Sequence, residues 1–507
     1  MKYEFKLQFA LLALITVLLI FLSAKTNMRV DFSQNKIYSI SQYTKNIFES
    51  LDDTVTISWI KSKNAQRYFP NLNYLNALFS QYAAMKHCSF EIVDAGTLTE
   101  TALQGLGIYP EQVKSTSRDE QKITAIYSGL LIEYSGMTKV LPYVFNLQAI
   151  EYTIANTLQA LIQDRSGLSN KRRVYILTFP NALNTEYPYI APFLEYDNFI
   201  PITVNDENLT ALNPDIPLVV IGSSFFSEAQ ITMLENFLQA GGSAAFFVSG
   251  TEITTSGEWK CTPKQNDKLL ELLNRYGFII SQDILFDIFN FPLQMDSIDG
   301  MSSQHINYPF WIRINAEQAD VTKSFFSAYS TLQMYWPSSL DISYNSNNDA
   351  TAILSTSSQA KRIIENFTIN PFVFSPNDFQ AIEKNKYTLA ACSTSKSNGQ
   401  KLFVMADEYF LSRYIELTNS DANITLLNAV CQWLIGNETL LQLKNKTEQI
   451  KPFKTFEDKN KIEKIKTFSR CINLIFIPII IFCIFFFKSM YKNKNYGDSK
   501  SCTTDLH

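Results

Sequence analysis

The sequence predicts an α/β protein whose doubly wound sheet domains lie outside the cytoplasm, between two transmembrane helices. Three observations lead to this prediction. Residues 7–24 and 471–487 are almost entirely apolar. The run LVVIG at 218–222 is continuously apolar, which is typical of a parallel strand buried on both faces. A helical pattern and a second apolar strand at 244–248 follow it, which indicates a βαβ unit with a right-handed crossover.

The first apolar run is long enough to cross a bilayer. Residues 7–24 carry no charge, and at helical rise they span ~27 Å, close to the thickness of the hydrocarbon core. The alternative is a cleaved signal peptide with Lys2 and Lys6 as its basic start. Leu22 argues against cleavage after Ala24, because a small side chain is needed three residues before a cut.

The second apolar run, residues 471–487, is bounded by Arg470 and Lys488, and its alternative reading is a buried core helix. Two spans would leave a short cytoplasmic N-terminus (1–6) and a cytoplasmic tail (488–507), with residues 25–470 outside. Basic residues flank the second span on both sides, so the predicted orientation depends mainly on the first span.

The first unit, residues 29–164, is predicted to be α/β. Ser39 stands three residues before Gln42, the spacing of a capping box that begins a helix. Strand patterns follow at 54–60, 90–93 and 123–134, and helical patterns at 71–84 and 147–161. The polar stretch 165–173 is a natural boundary.

The second unit, residues 171–440, begins with a strand at 174–178. After LVVIG, Ser227 and Gln230 have capping-box spacing, and Gly241 and Gly242 are predicted to end the helix. A helix at 267–276 and a strand at 278–280 are expected to continue the sheet. Residues 281–400 are predicted to be less regular, around a short strand at 352–354. A strand at 401–405 and a helix at 423–435 complete the unit. A polar stalk at 441–470 is predicted to follow it.

Composition excludes several classes of function. The formal net charge of -4 argues against a nucleic-acid-binding protein. The seven cysteines include no CxxC pair, so neither a disulfide framework nor a zinc site is expected. The chain contains no phosphate-binding GxxxxGK[ST] loop and no GxGxxG after a strand. Its three histidines, His87, His305 and His507, have no HExxH-type neighbours. We therefore predict no catalytic, cofactor-binding or metal-binding residues.

Two places deserve comparison with catalytic sites. Ser223 and Ser224 follow LVVIG, at the carboxyl edge where doubly wound sheets bind ligands, but they lack the GxSxG pattern. Asp407 and Glu408 follow the strand at 401–405. A carboxylate pair could serve acid–base catalysis, although we expect these acids to mark a helix N-terminus instead.

The order of segments resembles the GldG-like family of gliding-motility and ABC-transporter auxiliary proteins. The resemblance begins at RVDF and continues through LDDTVTISWI, YSGLLIEYSG, LVVIG, WPSSL, AILSTS, KLFVMADEYFL and NITLLNAVCQWLIG. Asp53-Thr54 replaces the usual acidic-Pro pair of this family. The family-motif residues, with a structural or partner-contact role, are Arg29, Asp31, Tyr38, Ser41, Thr44, Glu151, Tyr152, Gly241 and Gly242.

The resemblance implies an extracytoplasmic region related to flavodoxin-like folds. It also implies association with an ABC permease and an ATPase on separate chains, and no enzymatic site. The two apolar spans predict that the chain is anchored in the bacterial cytoplasmic (inner) membrane, in contact with membrane lipid. The main alternative is an envelope-located hydrolase or ligand-binding protein that uses Ser223, Asp407 or Glu408. A purely structural scaffold is the third reading.

Overall fold

The structure is a computed structural model that describes residues 38–117, 120–145, 149–168, 172–204, 212–255, 259–296, 303–320, 325, 331–343, 349–364, 367–373, 382–418 and 420–444. All of them fall within one of the two compact units into which the chain divides, residues 1–448. Both predicted membrane spans lie outside the described residues. Within the described part, no helix has the length and apolar character needed to cross a membrane.

The N-terminal region contains a four-stranded sheet and a separate hairpin. Its strands are β1 Val55–Lys61, β2 Cys88–Asp94, β3 Glu111–Ser117, β4 Glu120–Ile126, β5 Ser128–Tyr134 and β6 Met137–Leu141. Its helices are α1 Gln42–Glu49, α2 Ala65–Tyr68, α3 Leu72–Ala83, α4 Glu100–Gly105 and α5 Ile150–Arg165. The sheet has the order β2-β1-β5-β6, while β3 pairs with β4. The strands and helices predicted in this region are confirmed to within a few residues.

The start of α1 differs from the prediction. Its N-cap is Ser41, whose Oγ accepts a hydrogen bond from the backbone N–H of Thr44. The predicted capping box at Ser39 and Gln42 is therefore wrong by two residues. Ser41 also has a side-chain partner on α5, and this long-range contact favours it over Ser39.

The following region is dominated by a seven-stranded sheet. The strands are β7 Arg173–Leu177, β8 Ile200–Thr203, β9 Leu218–Ile221, β10 Ala244–Phe247, β11 Thr251–Thr254, β12 Lys260–Pro263, β13 Phe278–Ile280, β14 Ile284–Phe286, β15 Asn290–Asp296, β16 Ser303–Asn315, β17 Thr331–Tyr335, β18 Leu340–Ile342, β19 Thr351–Ser355, β20 Lys361–Ile363, β21 Phe367–Thr368, β22 Thr388–Thr394 and β23 Lys401–Met405. The helices are α6 Ala182–Thr185, α7 Ile190–Tyr196, α8 Glu228–Gln239, α9 Lys268–Arg275, α10 Ile415–Thr418, α11 Ala422–Leu434 and α12 Glu438–Lys444.

The large sheet has the order β19-β22-β23-β10-β9-β7-β8. The five strands from β8 to β23 are parallel, and β22 and β19 extend the sheet in antiparallel pairing. Numbered along the chain, the parallel strands have the spatial order 2-1-3-4-5, which is the order of flavodoxin-like sheets. The order reverses between β7 and β9.

Helices cover both faces of this sheet because its central strands are apolar on both sides. All four residues of β9 and of β10 are buried. One face packs against α8 and α9, and the other against α6, α7 and α11. The crossover helix α8 begins with the predicted capping box of Ser227 and Gln230. It ends before Gly241, which has a φ of 89°. The predicted βαβ unit is thus confirmed.

Three predictions for this region are wrong. Strand β13 does not extend the large sheet, because it pairs with β18 in a separate antiparallel pair. Residues 281–400 contain more strands than expected, including the three-stranded sheet β15-β16-β17. The predicted stalk at 441–470 begins too early, because Leu441 and Leu443 are buried in α12. Short strands that pair across long loops leave weak local signals in the sequence.

We expect Gly242→Ala to lower the free energy of unfolding by about 1–3 kcal/mol, the usual cost of overpacking. An added Cβ would stand 2.4 Å from Cζ of Phe237, whose ring is buried in the core. The control is Gly105→Ala, where an added Cβ meets nothing within 4 Å, and there the change should stay within about 0.5 kcal/mol. Thermal unfolding of the full chain in detergent measures both. Equal stability of Gly242→Ala and wild type would contradict the close approach.

Candidate functional site

Polar side chains gather at the carboxyl ends of β9, β10 and β23. Ser223 follows β9, Ser249 follows β10, and Asp407 and Glu408 follow β23. Because these strands are parallel neighbours, their carboxyl ends meet at one edge, where doubly wound sheets place ligands. The backbone N–H of Glu408 donates to Oγ of Ser249 at 2.9 Å. The structure therefore brings together the residues that the sequence compared with catalytic groups.

Lys264 completes this cluster. Its Nζ donates to Oγ of Ser223 at 2.9 Å and to Oε2 of Glu408 at 2.6 Å. All three residues are buried. Burial raises the pKa of Glu408, and the Lys264 ammonium acts in the opposite direction. Lys264 stands directly after β12, so the ion pair fastens the β11–β12 hairpin over the edge of the sheet.

Asp407 is fully buried beside this ion pair. Its carboxylate accepts backbone hydrogen bonds from Tyr335 at 2.6 Å and from Tyr409 at 2.8 Å. Burial raises the pKa of Asp407 well above its usual range, although these hydrogen bonds oppose the shift. The prediction that Asp407 and Glu408 begin a helix is wrong, because the next helix, α10, starts at Ile415. The side chains of both acids bond to other residues of the fold.

The WPSSL segment, residues 336–340, closes another part of the same edge. The Ser338 backbone N–H donates to the carbonyl of Ala406 at 2.9 Å, and its Oγ accepts from the N–H of Gly250 at 2.9 Å. Ser339 donates from its N–H and its Oγ to Asp283, at 2.7 and 2.6 Å. The WPSSL segment is thus held at the ends of β10 and β23 by hydrogen bonds within the chain.

The chemistry open to Ser223 follows from these contacts. Ser223 and Lys264 have the spacing of a nucleophile and its base. The same Nζ of Lys264 also donates to Oε2 of Glu408 at 2.6 Å, however, so it is shared between two partners. His87 directly precedes β2 and His305 lies on β16, so neither belongs to this cluster. Among the described residues, no group of acids, histidines and cysteines is placed to hold a metal ion. The arrangement favours a structural role for this cluster.

Four of the family-motif residues, Ser41, Thr44, Glu151 and Tyr152, lie around the start of α5, whereas Gly241 and Gly242 follow α8. Oε1 of Glu151 accepts hydrogen bonds from the backbone N–H of Ser41 at 2.8 Å, from its Oγ at 2.7 Å and from Oγ1 of Thr44 at 2.6 Å. Tyr38 packs its ring against Tyr74, with centroids 5.2 Å apart. The motif residues Arg29 and Asp31 lie outside the described residues. Glu151 thereby holds the first turn of α1 on α5.

Tyr152, the next residue of α5, faces a different partner. Its hydroxyl donates to the Asp197 carboxylate, with O–O distances of 2.8 and 2.9 Å. Lys444 places its Nζ 3.9 Å from Oδ2 of Asp197 and 4.3 Å from the centroid of the Tyr152 ring. Sequence reasoning missed Asp197, Lys444 and Lys264, because each is a single charged residue whose partner is distant in the chain.

We expect Lys264→Met to lower the free energy of unfolding at neutral pH by about 3–5 kcal/mol, because it leaves Glu408 buried without its cation. Adding Glu408→Leu should recover most of this loss, since no buried charge then remains. Denaturant unfolding of the full chain in detergent gives both values.

The matched control for this prediction is Lys268→Met, which breaks the exposed ion pair with Glu228 and should cost less than about 1 kcal/mol. An Lys264→Met loss no larger than that of the control would show that the buried pair is not needed to hold the edge.

Asp407→Asn tests the buried acid through pH. A raised pKa means that the folded protein keeps a proton at pH values where the unfolded chain has lost it. Wild type should therefore lose stability relative to Asp407→Asn as pH rises above the usual aspartate value, and the difference should level off above the raised pKa. Unfolding free energies of both proteins from about pH 4.5 to pH 8 give the curve. A difference that is constant with pH would contradict this assignment.

Two family models match the chain. The model described as ABC-type uncharacterized transport system matches residues 160–430, which contain the seven-stranded sheet and its carboxyl edge. A domain of unknown function, DUF7088, matches residues 34–133 in the N-terminal region. The chain is also similar to an uncharacterized protein of Borreliella burgdorferi, with 24% identity over 479 residues that cover 89% of this chain and 91% of the relative.

The first match lies in the region where the predicted landmarks from LVVIG to the helix α11 occur in order, and it covers more than half of the 507 residues. The chain therefore belongs to the ABC-type uncharacterized transport system family.

Proposed function

We propose that this protein is a non-catalytic auxiliary subunit of an ABC-type transport system, close in role to the GldG-like proteins. Its large region would dock on a permease, a transported substrate or an envelope component. The energy for transport would come from an ATPase on a separate chain. The observation that carries the proposal is the family match over residues 160–430.

The contacts at the carboxyl edge support a non-catalytic role. Ser223 and Glu408 both bond to Lys264, and Asp407 is buried with backbone partners. A nucleophile or a general acid must reach its substrate, whereas these groups are turned into the fold. The α/β regions at 29–164 and 171–440 then act as docking modules, with the motif residues around the start of α5 at their junction.

The proposed location follows from the two apolar runs. Residues 7–24 and 471–487 would anchor the chain in the bacterial cytoplasmic membrane, with residues 25–470 outside the cytoplasm. Membrane lipid and the permease would be the contacts of the anchors. Motility is one process that such a transporter could serve, as the resemblance to GldG-like proteins suggests.

The alternative is an envelope-located hydrolase or ligand-binding protein. One observation favours it: Ser223 Oγ lies 2.9 Å from Lys264 Nζ at the carboxyl edge of the sheet. An enzyme of this kind would require the β11–β12 hairpin to move away so that a substrate reaches Ser223. The contact of Lys264 with Glu408 opposes this movement.

The proposal predicts that ABC permease and ATPase chains copurify with the tagged full-length protein. The protein is solubilised from its native membrane in mild detergent, and mass spectrometry identifies its companions. A tagged two-span membrane protein of unrelated function, expressed to the same level, is the control for nonspecific capture.

Recovery of this protein alone in several detergents would contradict the auxiliary role. The purified chain is also assayed with generic ester substrates beside its Ser223→Ala variant. Turnover by wild type that the Ser223→Ala variant lacks would establish the hydrolase reading instead.

A further inference from the structure

Both ends of the described chain meet at one point of α5. The first described residues lead into α1, and the last form α12. A small apolar cluster joins them: Tyr152, Ala155, Leu440 and Leu443 form its centre, and Tyr43 and Ile47 of α1 pack against it. The helix α5 therefore lies between the two elements through which the chain continues toward its termini.

The N-terminal side of this junction depends on one carboxylate oxygen. Oε1 of Glu151 receives three hydrogen bonds from Ser41 and Thr44. Glu151 is 5% exposed and Thr44 is fully buried. Hydrogen bonds to a buried carboxylate are strong, and the loss of one partner from such a group is costly. The first turn of α1 can therefore separate from α5 only if these bonds break together.

The C-terminal side depends on Asp197. Its carboxylate lies between the Tyr152 hydroxyl and the Lys444 ammonium, and the side chains of Asp197 and Lys444 are each 9% exposed. Asn156 of α5 donates to the Asp197 carbonyl at 2.8 Å. Because Asp197 stands between α7 and β8, this contact connects α12 and α5 to the large sheet.

The interface beside Asp197 is polar and incompletely filled. A cavity of about 10 Å³, room for one water molecule, is lined by residues that include Gln159, Gln163 and Arg172. Nε of Arg172 and Oε1 of Gln163 are buried without a hydrogen-bond partner among the described residues. This polar lining lies beside the apolar cluster of Tyr152 and Leu440, and its side chains do not interlock as apolar core residues do. Its few strong contacts therefore decide its geometry.

We propose that Glu151 and Tyr152 form a coupling clamp, which ties α1 and α12 to each other and, through Asp197, to the large sheet. Adjacent positions on the first turn of α5 hold the two ends, so a displacement of one end is transmitted to the other. The inference deepens the proposed function: if both ends continue into membrane anchors, the clamp conveys movement of the anchors to the docking region. The reciprocal coupling of the two ends can be measured on the chain alone.

Hydrogen exchange of the full-length protein in detergent tests the clamp. Asp197→Asn removes the charge that holds α12, and Thr44→Val removes a donor that holds α1. We expect each variant to accelerate amide exchange about tenfold or more in both Gln42–Glu49 and Glu438–Lys444, because coupling between two sites is reciprocal. Amides of β9 and β10 should keep their wild-type rates. Acceleration confined to the helix whose own contact was removed would overturn the proposal.

A matched control and a milder variant complete the test. Glu228→Gln breaks an exposed ion pair far from α5 in the sequence, and it should leave both helices at wild-type rates. If Asp197→Asn also exposes β9 and β10, Tyr152→Phe replaces it, since it removes one hydroxyl and no charge. Acceleration in both helices would again support the clamp, and acceleration in only one helix would overturn it. Because exchange reports on this chain and copurification reports on its partners, failure of the clamp is distinguishable from failure of the transport role.

Discussion

Burial of the parallel strands on both faces is the constraint on which this structure depends. Strands β9 and β10 have no exposed residue, so polar side chains can enter the sheet only at the strand ends. Buried charged groups at those ends need partners, because an unpaired buried charge is costly. At the carboxyl edge, Lys264 pairs with Glu408, and the backbone of Tyr335 donates to Asp407.

At this edge of the sheet, polar side chains bond to other residues of the same chain, and this bears on function. In an open doubly wound sheet the crevice at this edge is left for a ligand. Here the β11–β12 hairpin is fastened at this edge by an ion pair, and the WPSSL segment by hydrogen bonds to Asp283 and Ala406. These contacts suit the proposed subunit, which would work through its surfaces.

The sequence predicted the elements whose signals are local. The capping box at Ser227, the turn at Gly241 and the apolar strand β9 each follow from residues within a few positions of one another. Lys264 and Glu408, by contrast, are 144 residues apart, and no periodicity marks such a pair. The misplaced cap at Ser39 has the same origin, because the contact of Ser41 with Glu151 spans 110 residues. Strand β13 looked like a sheet strand locally, but its pairing with β18 depends on a distant segment.

The two carboxylate sites lie in different surroundings and hold different parts of the chain. At the carboxyl edge, charged groups lie among tightly packed apolar strands, so any movement there must break the core. At the junction around Asp197, charged groups lie beside a water-sized cavity and polar side chains, next to the apolar cluster of Tyr152 and Leu440. Buried ion pairs specify a geometry more than they add stability, and at the junction the geometry specified is that of both chain ends. In the proposed clamp, a displacement of either chain end is therefore transmitted to the other end and, through Asp197, to the large sheet.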